Sequence, residues 1–286
     1  MILFVLILFS IFFIILTPVS AWAWGPATHL EITHTILSSP GLVTGPVREL
    51  IMRFPHDFLY GSVSADIVMG KNLMQELTHC HNWRVGLGVF KKARKGSEKA
   101  FACGYLSHLA ADTVAHNHFI PEMMIRSFPT RSLRHLYWEL RFDALVADEV
   151  WGLHKTLSRG SKKDNHRLLD SVFVGTPLSF TTNKTIFTGF LLLNRIRRWQ
   201  EVLRLVDRSS RWRLPEEARE KFMEASLTAA VDVLSDQDDA PCLSEDPTGR
   251  RALKRARMTR KRLKKTRLNK DEYQGSVEEA LKEIRV

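Results

Sequence analysis

The sequence predicts an all-α protein with a single helical domain from Trp24 to about Ser235 and a polar, strongly basic extension over residues 236–286. Two observations support this prediction. Apolar residues recur at helical spacing in most segments, and pairs of polar, metal-ligand residues stand four apart, which is one helical turn. A chain of 286 residues is long enough to bury a large core in one domain. The expected architecture therefore places a zinc cluster in a cleft between helices.

Residues 1–23 are predicted to be a signal peptide rather than part of the fold. Ile2–Leu16 is an almost unbroken apolar run, and Ala21–Ala23 fits the small-x-small cleavage rule. The run is shorter than the roughly 20 apolar residues of a spanning helix. Secretion or a periplasmic location is expected, with Trp24 as the first mature residue. A basic stretch before the apolar run is missing, so an uncleaved N-terminal membrane anchor is the alternative.

Two short helices are expected next, with a possible metal ligand at the start of the first and another after the second. Apolar residues between Leu30 and Leu37 predict a helix with His29 at its start. A second helix covers Val47–Phe54, and Asp66 follows it in a segment where an aspartate could equally be an ordinary turn or cap residue. Two histidines then flank Cys80, and two side chains at that spacing point apart on a helix.

The segment Phe101–Pro121 carries the densest set of metal-ligand residues in the chain. His108 and Asp112 stand four apart, so a helix presents both on one face, where they can hold one cation. Imidazole and carboxylate groups are zinc ligands. His116 continues the same helical stripe and His118 does not. The sequence therefore predicts a zinc-binding helix in this segment.

A further helix is predicted over Arg131–Trp151, with His135 and Glu139 again four residues apart. Alone, this pair would be a solvated polar pair on a helix surface. Asp143 follows on the same helix and is interpreted, with Asp148 and Glu149, as surface charge. Two more amphipathic helices are expected to complete the helical core, at Ile186–Ser209 and Pro215–Leu234.

The net charge of +11 is concentrated near the C-terminus, because twelve of the residues from Arg250 to Lys270 are Lys or Arg and none is acidic. A solvated extension is one interpretation of this run. Attraction to an anionic membrane surface is another, and nucleic acid is a weaker one because no aromatic residues are interleaved for base stacking. The three cysteines are too few and too scattered for a disulfide framework or a cysteine zinc site.

Trp24-Gly25 at a mature N-terminus, with His29 five residues after Trp24, resembles the zinc-dependent phospholipase C superfamily, which also includes secreted three-zinc nucleases. The stretch GPATHLEI from Gly25 to Ile32 is most similar to the phospholipases. The resemblance covers roughly Trp24 to Glu149 and implies about three zinc ions. In that family the α-amino group and carbonyl oxygen of the first residue bind one zinc.

The resemblance also implies a set of ligands for three metal sites. One site takes Asp66, His79, His108 and Asp112; a second takes His118, His135 and Glu139; a third takes Trp24, His29 and Asp112. His81 is the alternative to His79. For the last histidine of the central segment, family spacing selects His118 whereas helical spacing selects His116, and His118 requires the helix to end or bend before Pro121.

The resemblance implies a zinc-dependent phosphoric diester hydrolase, with a phospholipid as the preferred substrate and Asp66 as base toward the attacking water. Zinc is expected to hold the phosphoryl oxygens and to lower the pKa of a bound water to about 7. A nuclease or phosphomonoesterase on the same scaffold is the alternative enzyme, and a non-catalytic zinc-binding surface protein is the alternative from another class. Glu139, where the nucleases usually place Asp, favours the phospholipase. No obligate protein partner is implied.

Overall fold

The computed structural model describes residues 24–39, 41–69, 74–128, 134–153, 156–157, 162–194, 201, 212–266 and 270–284. Within these ranges the regular secondary structure is entirely helical, so the all-α prediction is confirmed. Residues 1–23, the predicted signal peptide, lie outside the described ranges. None of the helices that the structure describes combines the length and the apolar character needed to cross a membrane.

The described helices are numbered in chain order. The first seven are α1 (Pro26–Ser38), α2 (Gly45–Arg53), α3 (Pro55–Ser64), α4 (Trp83–Lys92), α5 (Gly96–Val114), α6 (Ile120–Arg126) and α7 (Arg134–Asp143). The remaining ones are α8 (Asp148–Leu153), α9 (Lys162–Val172), α10 (Phe180–Asn194), α11 (Glu216–Ser235), α12 (Arg250–Lys265) and α13 (Lys270–Ile284). Short 3₁₀ helices cover Ala65–Ile67, Glu76–Thr78 and Pro241–Ser244, and a π-helical turn covers Ala115–Phe119.

Helix α5 is the centre of the fold, and it is buried on all sides from Ala100 onward. Helix α3 packs on one side of it and α11 on another. The α3–α5 contact is unusually close because of two glycines. A Cβ at Gly61 would lie 1.9 Å from the carbonyl oxygen of Phe101, and one at Gly104 would lie 2.0 Å from that of Phe58. Neither position can accept a side chain at this helix spacing.

The chain stays helical through Pro121, although the regular α-helix ends at Val114 and gives way to a π turn. Helix α5 passes into the π turn, in which the Ile120 N–H bonds to the carbonyl oxygen of Ala115, and the chain continues directly as α6. Proline has no N–H to donate, and a position at the start of a helical segment tolerates that loss. The wider turn therefore lets the helix continue through Pro121.

The predicted helix over Arg131–Trp151 is two helices, α7 and α8, separated by a turn. Helix α10 covers the first part of the helix predicted at Ile186–Ser209, and residues 195–200 and 202–209 lie outside the described ranges. Helix α11 matches the last predicted helix, and Pro215 stands immediately before its first turn.

The basic C-terminal segment packs on the helical body instead of extending into solvent. Helix α12 contacts α6 and the π turn through Leu253, Ala256 and Leu263, all of which are buried. Arg260 is also turned inward, and its Nη1 donates to the carbonyl oxygen of Met124 at 2.7 Å, close to the end of α6. Because α6 leaves its last carbonyls without helical partners, this arginine caps it from outside.

Candidate metal centre

Helix α5 holds His108 and Asp112 on one buried face, as the spacing predicted. The Nδ1–H of His108 donates to the carbonyl oxygen of Ser62 at 2.7 Å, a contact made possible by the close approach of α3 and α5. In the neutral form of the ring this bond places the proton on Nδ1, so that Nε2 carries the lone pair. That nitrogen lies 3.3 Å from Oδ2 of Asp112. The ring is thus oriented as a metal ligand by its neighbour.

Three further side chains complete the first cluster, which consists of His29, Asp66, His81, His108 and Asp112. From α1, His29 stacks on His108 with ring centroids 3.8 Å apart and brings Nε2 to 3.3 Å from Oδ1 of Asp112. His81 places Nε2 at 3.2 Å from Oδ2 of Asp112 and at 3.3 Å from Oδ1 of Asp66. Asp112 therefore faces histidines on both of its oxygens.

Burial and charge set the protonation of this cluster. Burial, assisted by the neighbouring His108, lowers the pKa of His29 to about 4, so its imidazole is neutral at pH 7. Burial opposes ionisation of Asp112, but His108 and the imidazoles of His29 and His81 hold the pKa of Asp112 well below its usual range. Neutral imidazole and ionised carboxylate are the forms that bind metal.

The residues of the first cluster fit a divalent metal. Among the described residues, neither carboxylate oxygen of Asp112 nor Nε2 of His29 has a hydrogen-bond partner, although all three atoms are buried. Buried polar atoms without partners are costly, and a cation facing them would remove that cost. Potential ligand atoms of His81, His108 and Asp112 lie within 4.8 Å of one another, as do those of His29, Asp66 and His108. Nitrogen and oxygen donors in this combination are typical of zinc.

The geometry favours His81 over His79 as the ligand from the segment after Glu76–Thr78. His79 is also buried, its potential ligand atoms lie within 4.8 Å of those of Cys80 and His81, and its Nδ1 accepts the backbone N–H of His81 at 3.0 Å. His81 reaches both carboxylates of the cluster. Because His79 and His81 flank Cys80 in an extended turn, sequence spacing could not decide which ring faces α5. Cys80, Cys103 and Cys242 are all buried free thiols.

A second cluster, which consists of His116, His135 and Glu139, lies where the π turn meets α7. His135 Nε2 and Glu139 Oε1 are 3.1 Å apart on α7, and both side chains are buried. The ring of His116 stands perpendicular to that of His135 with centroids 5.1 Å apart. The predicted partner of this pair, His118, is not brought to them. Its side chain is 51% exposed, and its Nε2 lies 3.2 Å from Glu245.

The segment Glu245–Gly249 closes the second cluster on its outer side. The Nδ1–H of His116 donates to the carbonyl oxygen of Pro247 at 2.6 Å, which directs Nε2 of the same ring away from this segment. Gly249 has a left-handed backbone with φ of +55°, and a Cβ there would lie 2.4 Å from Cβ of His116. Only glycine meets both conditions. No motif in the sequence marks this contact between segments 131 residues apart.

Trp24 is fully buried beside the first cluster. Its indole Nε1–H lies 3.1 Å from the carbonyl oxygen of Ala111, the neighbour of Asp112, and 3.1 Å from Oγ of Ser226 on α11. Its ring also packs on Phe142 with centroids 4.1 Å apart. These contacts fix the N-terminal end of the domain against the metal-binding helix.

Asp143, interpreted from sequence as surface charge, is buried, and that interpretation is wrong. Its carboxylate accepts the backbone N–H of Thr28 at 3.0 Å, the Thr28 hydroxyl at 2.6 Å and the N–H of Ala27 at 3.3 Å. It therefore caps the helix that carries His29. Gly25 leaves room for it, because a Cβ at Gly25 would lie 2.0 Å from Asp143 Oδ2. Asp143 stands four residues after Glu139, so the two side chains share one side of α7, and this spacing indicates that Asp143 faces inward.

An all-α fold whose first cluster brings buried histidines and carboxylates within reach of one ion is compatible with a helical zinc protein. The sequence profile of the family described as zinc-dependent phospholipase C matches residues 28–186, which is more than half of the chain. The chain belongs to the zinc-dependent phospholipase C family. No curated protein and no solved structure matches it. Family and clusters together indicate zinc and a hydrolase of the phosphodiesterase type.

Proposed function

We propose that the protein is a phospholipase C-type enzyme that hydrolyses the phosphodiester of phospholipids. The observation that supports this most strongly is the convergence of His29, His81 and His108 on the two oxygens of Asp112. Water adds to phosphorus, the bond to the diacylglycerol oxygen breaks, and diacylglycerol leaves with a proton. Zinc, when bound, supplies positive charge that polarises the phosphoryl group and makes water a stronger nucleophile.

We assign about three zinc ions in total to the two clusters. The first cluster would hold one between His81, His108, Asp66 and Asp112, and the second would hold another between His116, His135 and Glu139. Asp112 would also serve a third ion with His29. Each of these side chains is largely or fully buried, so the donors are already oriented before a ligand enters. Because burial removes competing water, such sites bind strongly.

Asp66 is the proposed base that takes a proton from the attacking water. It lies at the edge of the first cluster, with Oδ1 3.3 Å from His81 Nε2. Its exposed fraction is 6%, whereas Asp112 is fully buried. A carboxylate at the edge of the site, within hydrogen-bond reach of a bound water, can act as a general base.

Trp24 is proposed to supply the remaining ligand of the third ion through its α-amine, after cleavage that follows Ala23. The protein would then act outside the cytoplasm. Before cleavage this nitrogen is an amide and has no lone pair available for zinc. A chain that keeps one residue ahead of Trp24 is expected to fold and to retain the other zinc ions, but to lose most of its activity. Full activity of that extended chain would remove the amine from the ligand set.

The test of the function uses the zinc-loaded chain that begins at Trp24. Phosphatidylcholine, phosphatidylinositol and single-stranded DNA are supplied separately, and the products are identified by mass spectrometry. Release of diacylglycerol with a phosphorylated head group is expected. Phosphatidic acid would indicate cleavage on the other side of phosphorus, and hydrolysis of DNA alone would replace the phospholipase with a nuclease. Asp112→Asn serves as the inactive control.

A further inference from the structure

Helix α12 carries a row of cations on the side that faces away from the protein. Its apolar residues and Arg260 are turned toward α6, so the helix is fixed in one rotation about its axis. The opposite side, which we call the basic face, consists of Arg251, Lys254, Arg255, Lys261 and Lys265, all of them exposed. Spacings of three, four and seven residues place these side chains on one side of a helix.

The charge of the basic face is not neutralised within the part of the chain that the structure describes. Arg262, on the same side of the helix, forms an ion pair with Glu283, and Arg250, at the start of the helix, forms one with Glu76. None of the five residues of the face forms an ion pair with an acidic residue in the described part of the chain. Like charges held this close repel one another, and an external anionic surface would relieve that repulsion.

Met258 lies among the cations of the basic face and is 63% exposed. A flexible apolar side chain surrounded by Lys and Arg suits the boundary between lipid head groups and acyl chains. Helix α12 contains no aromatic residue, so the face offers nothing on which nucleic-acid bases could stack. A lipid surface therefore matches this face better than a nucleic acid does.

The basic face begins next to the second cluster. Gly249 directly precedes α12 and lies against His116, and the carbonyl oxygen of Pro247 accepts the His116 Nδ1–H at 2.6 Å. The segment that closes the cluster therefore leads directly into the cationic helix. A surface bound by α12 would be held close to the metal-binding residues.

We propose that the basic face of α12 binds the surface of an anionic phospholipid bilayer and holds the metal centre against it. This proposal rests on the proposed function, because binding to a bilayer would concentrate the enzyme at its phospholipid substrate. Each cation near an anionic membrane contributes about a five-fold gain in affinity. The five residues together are therefore expected to change membrane affinity by at least about 100-fold.

The test is co-sedimentation of the full mature chain with vesicles of phosphatidylserine and phosphatidylcholine, and with vesicles of phosphatidylcholine alone. The variant replaces Arg251, Lys254, Arg255, Lys261 and Lys265 by Gln, which keeps helix propensity. The matched control makes the same replacement at five exposed cations elsewhere, Arg48, Arg84, Lys91, Arg94 and Lys99. Circular dichroism and the unfolding temperature establish that both variants fold.

The wild type and the matched control are expected to bind anionic vesicles, and binding should weaken as salt rises above about 0.15 M. The face variant is expected to lose binding while it hydrolyses a soluble short-chain substrate at the wild-type rate. Equal loss of vesicle binding in both variants would mean that binding depends only on net charge, and this would overturn the proposal. Tighter binding to a DNA duplex than to anionic vesicles would also overturn it. A wild type that binds vesicles but hydrolyses no lipid contradicts the proposed function and leaves this inference intact.

Discussion

The two clusters of the metal centre are held in place in different ways. Every member of the first cluster lies inside the packing of α1, α3 and α5 or at its edge, and its key ring, His108, is oriented by a carbonyl of α3. The second cluster depends on the π turn and on a segment 131 residues further along the chain. Core packing therefore defines one cluster, whereas the C-terminal part of the chain defines the other. Substitutions in one cluster should therefore affect zinc binding differently from substitutions in the other.

The largest effect is expected from Asp112→Asn. An amide cannot supply two anionic oxygens to metal ions. Loss of a residue that only hydrogen-bonds to a metal ligand already lowers metal affinity or activity by about 10–100-fold. Loss of activity should therefore exceed about 100-fold, together with loss of zinc. Glu139→Gln is the companion variant and should release zinc from the second cluster only. Equal zinc content in Asp112→Asn and wild type would contradict the role of this carboxylate.

The choice between His79 and His81 tests the first cluster. His81→Ala removes the ring that reaches Asp66 and Asp112, so zinc affinity and activity should fall by more than about 100-fold. His79→Ala removes a ring that accepts the backbone N–H of His81, and a smaller loss of about 10-fold is expected. Isothermal titration calorimetry measures the zinc affinity of both variants, and the hydrolysis rate measures their activity. The opposite order would restore the family-based assignment of His79.

The choice between His116 and His118 tests the second cluster in the same way. His116→Ala should lower zinc content, because this ring faces His135 and is directed by Pro247. His118→Ala should leave zinc content unchanged, because that side chain is half exposed and contacts Glu245. The reverse result would mean that the π turn rearranges when metal binds.

Helical spacing predicted that His108 and Asp112 share one face, and the reasons are local. His108 and Asp112 are one turn apart on a long buried helix, so their common face follows from the sequence alone. The rest depends on contacts that spacing cannot reveal. Gly61 and Gly104 set the distance between helices, and Gly249 meets His116 from a distant segment. The π turn that carries the chain through Pro121 likewise left no pattern in the sequence.

Asp143 was missed because its spacing from Glu139 indicates which side of α7 it lies on but not which helix packs against that side. Its carboxylate oxygens bind Ala27 and Thr28, which belong to α1. Trp24 and His29 were predicted to be near the metal centre from a family resemblance, and no periodicity within α1 pointed there. Tertiary packing, which brings α1 and α7 together, is the information that the sequence alone lacked.

The smallest effect is expected from Asp143→Ala, which removes the cap of α1 without touching either cluster. The free energy of unfolding should fall by about 1–2 kcal/mol, the usual cost of losing such a cap. Burial raises the pKa of Asp143 to about 6, against the opposing hydrogen bonds of Thr28. The folded chain therefore takes up this proton at a higher pH than the unfolded chain, and wild-type stability relative to the variant should rise as pH falls from above 6 toward 4.

Denaturant unfolding of the wild type and of Asp143→Ala at several pH values measures this effect. Comparing the two chains cancels the titration of the clusters, which both contain. A difference in stability that shrinks as pH falls would contradict the buried, proton-binding environment of Asp143.

The central claim is that Asp112 is the common carboxylate of a zinc centre, and anomalous diffraction at the zinc edge tests it most directly. Crystals of the mature chain grown with zinc are expected to show zinc about 2.0–2.2 Å from Asp112 and from the Nε2 atoms of His81 and His108. A separate zinc is expected beside His116, His135 and Glu139. Zinc bound by His79 and His118 instead, or no anomalous signal within either cluster, would contradict this account.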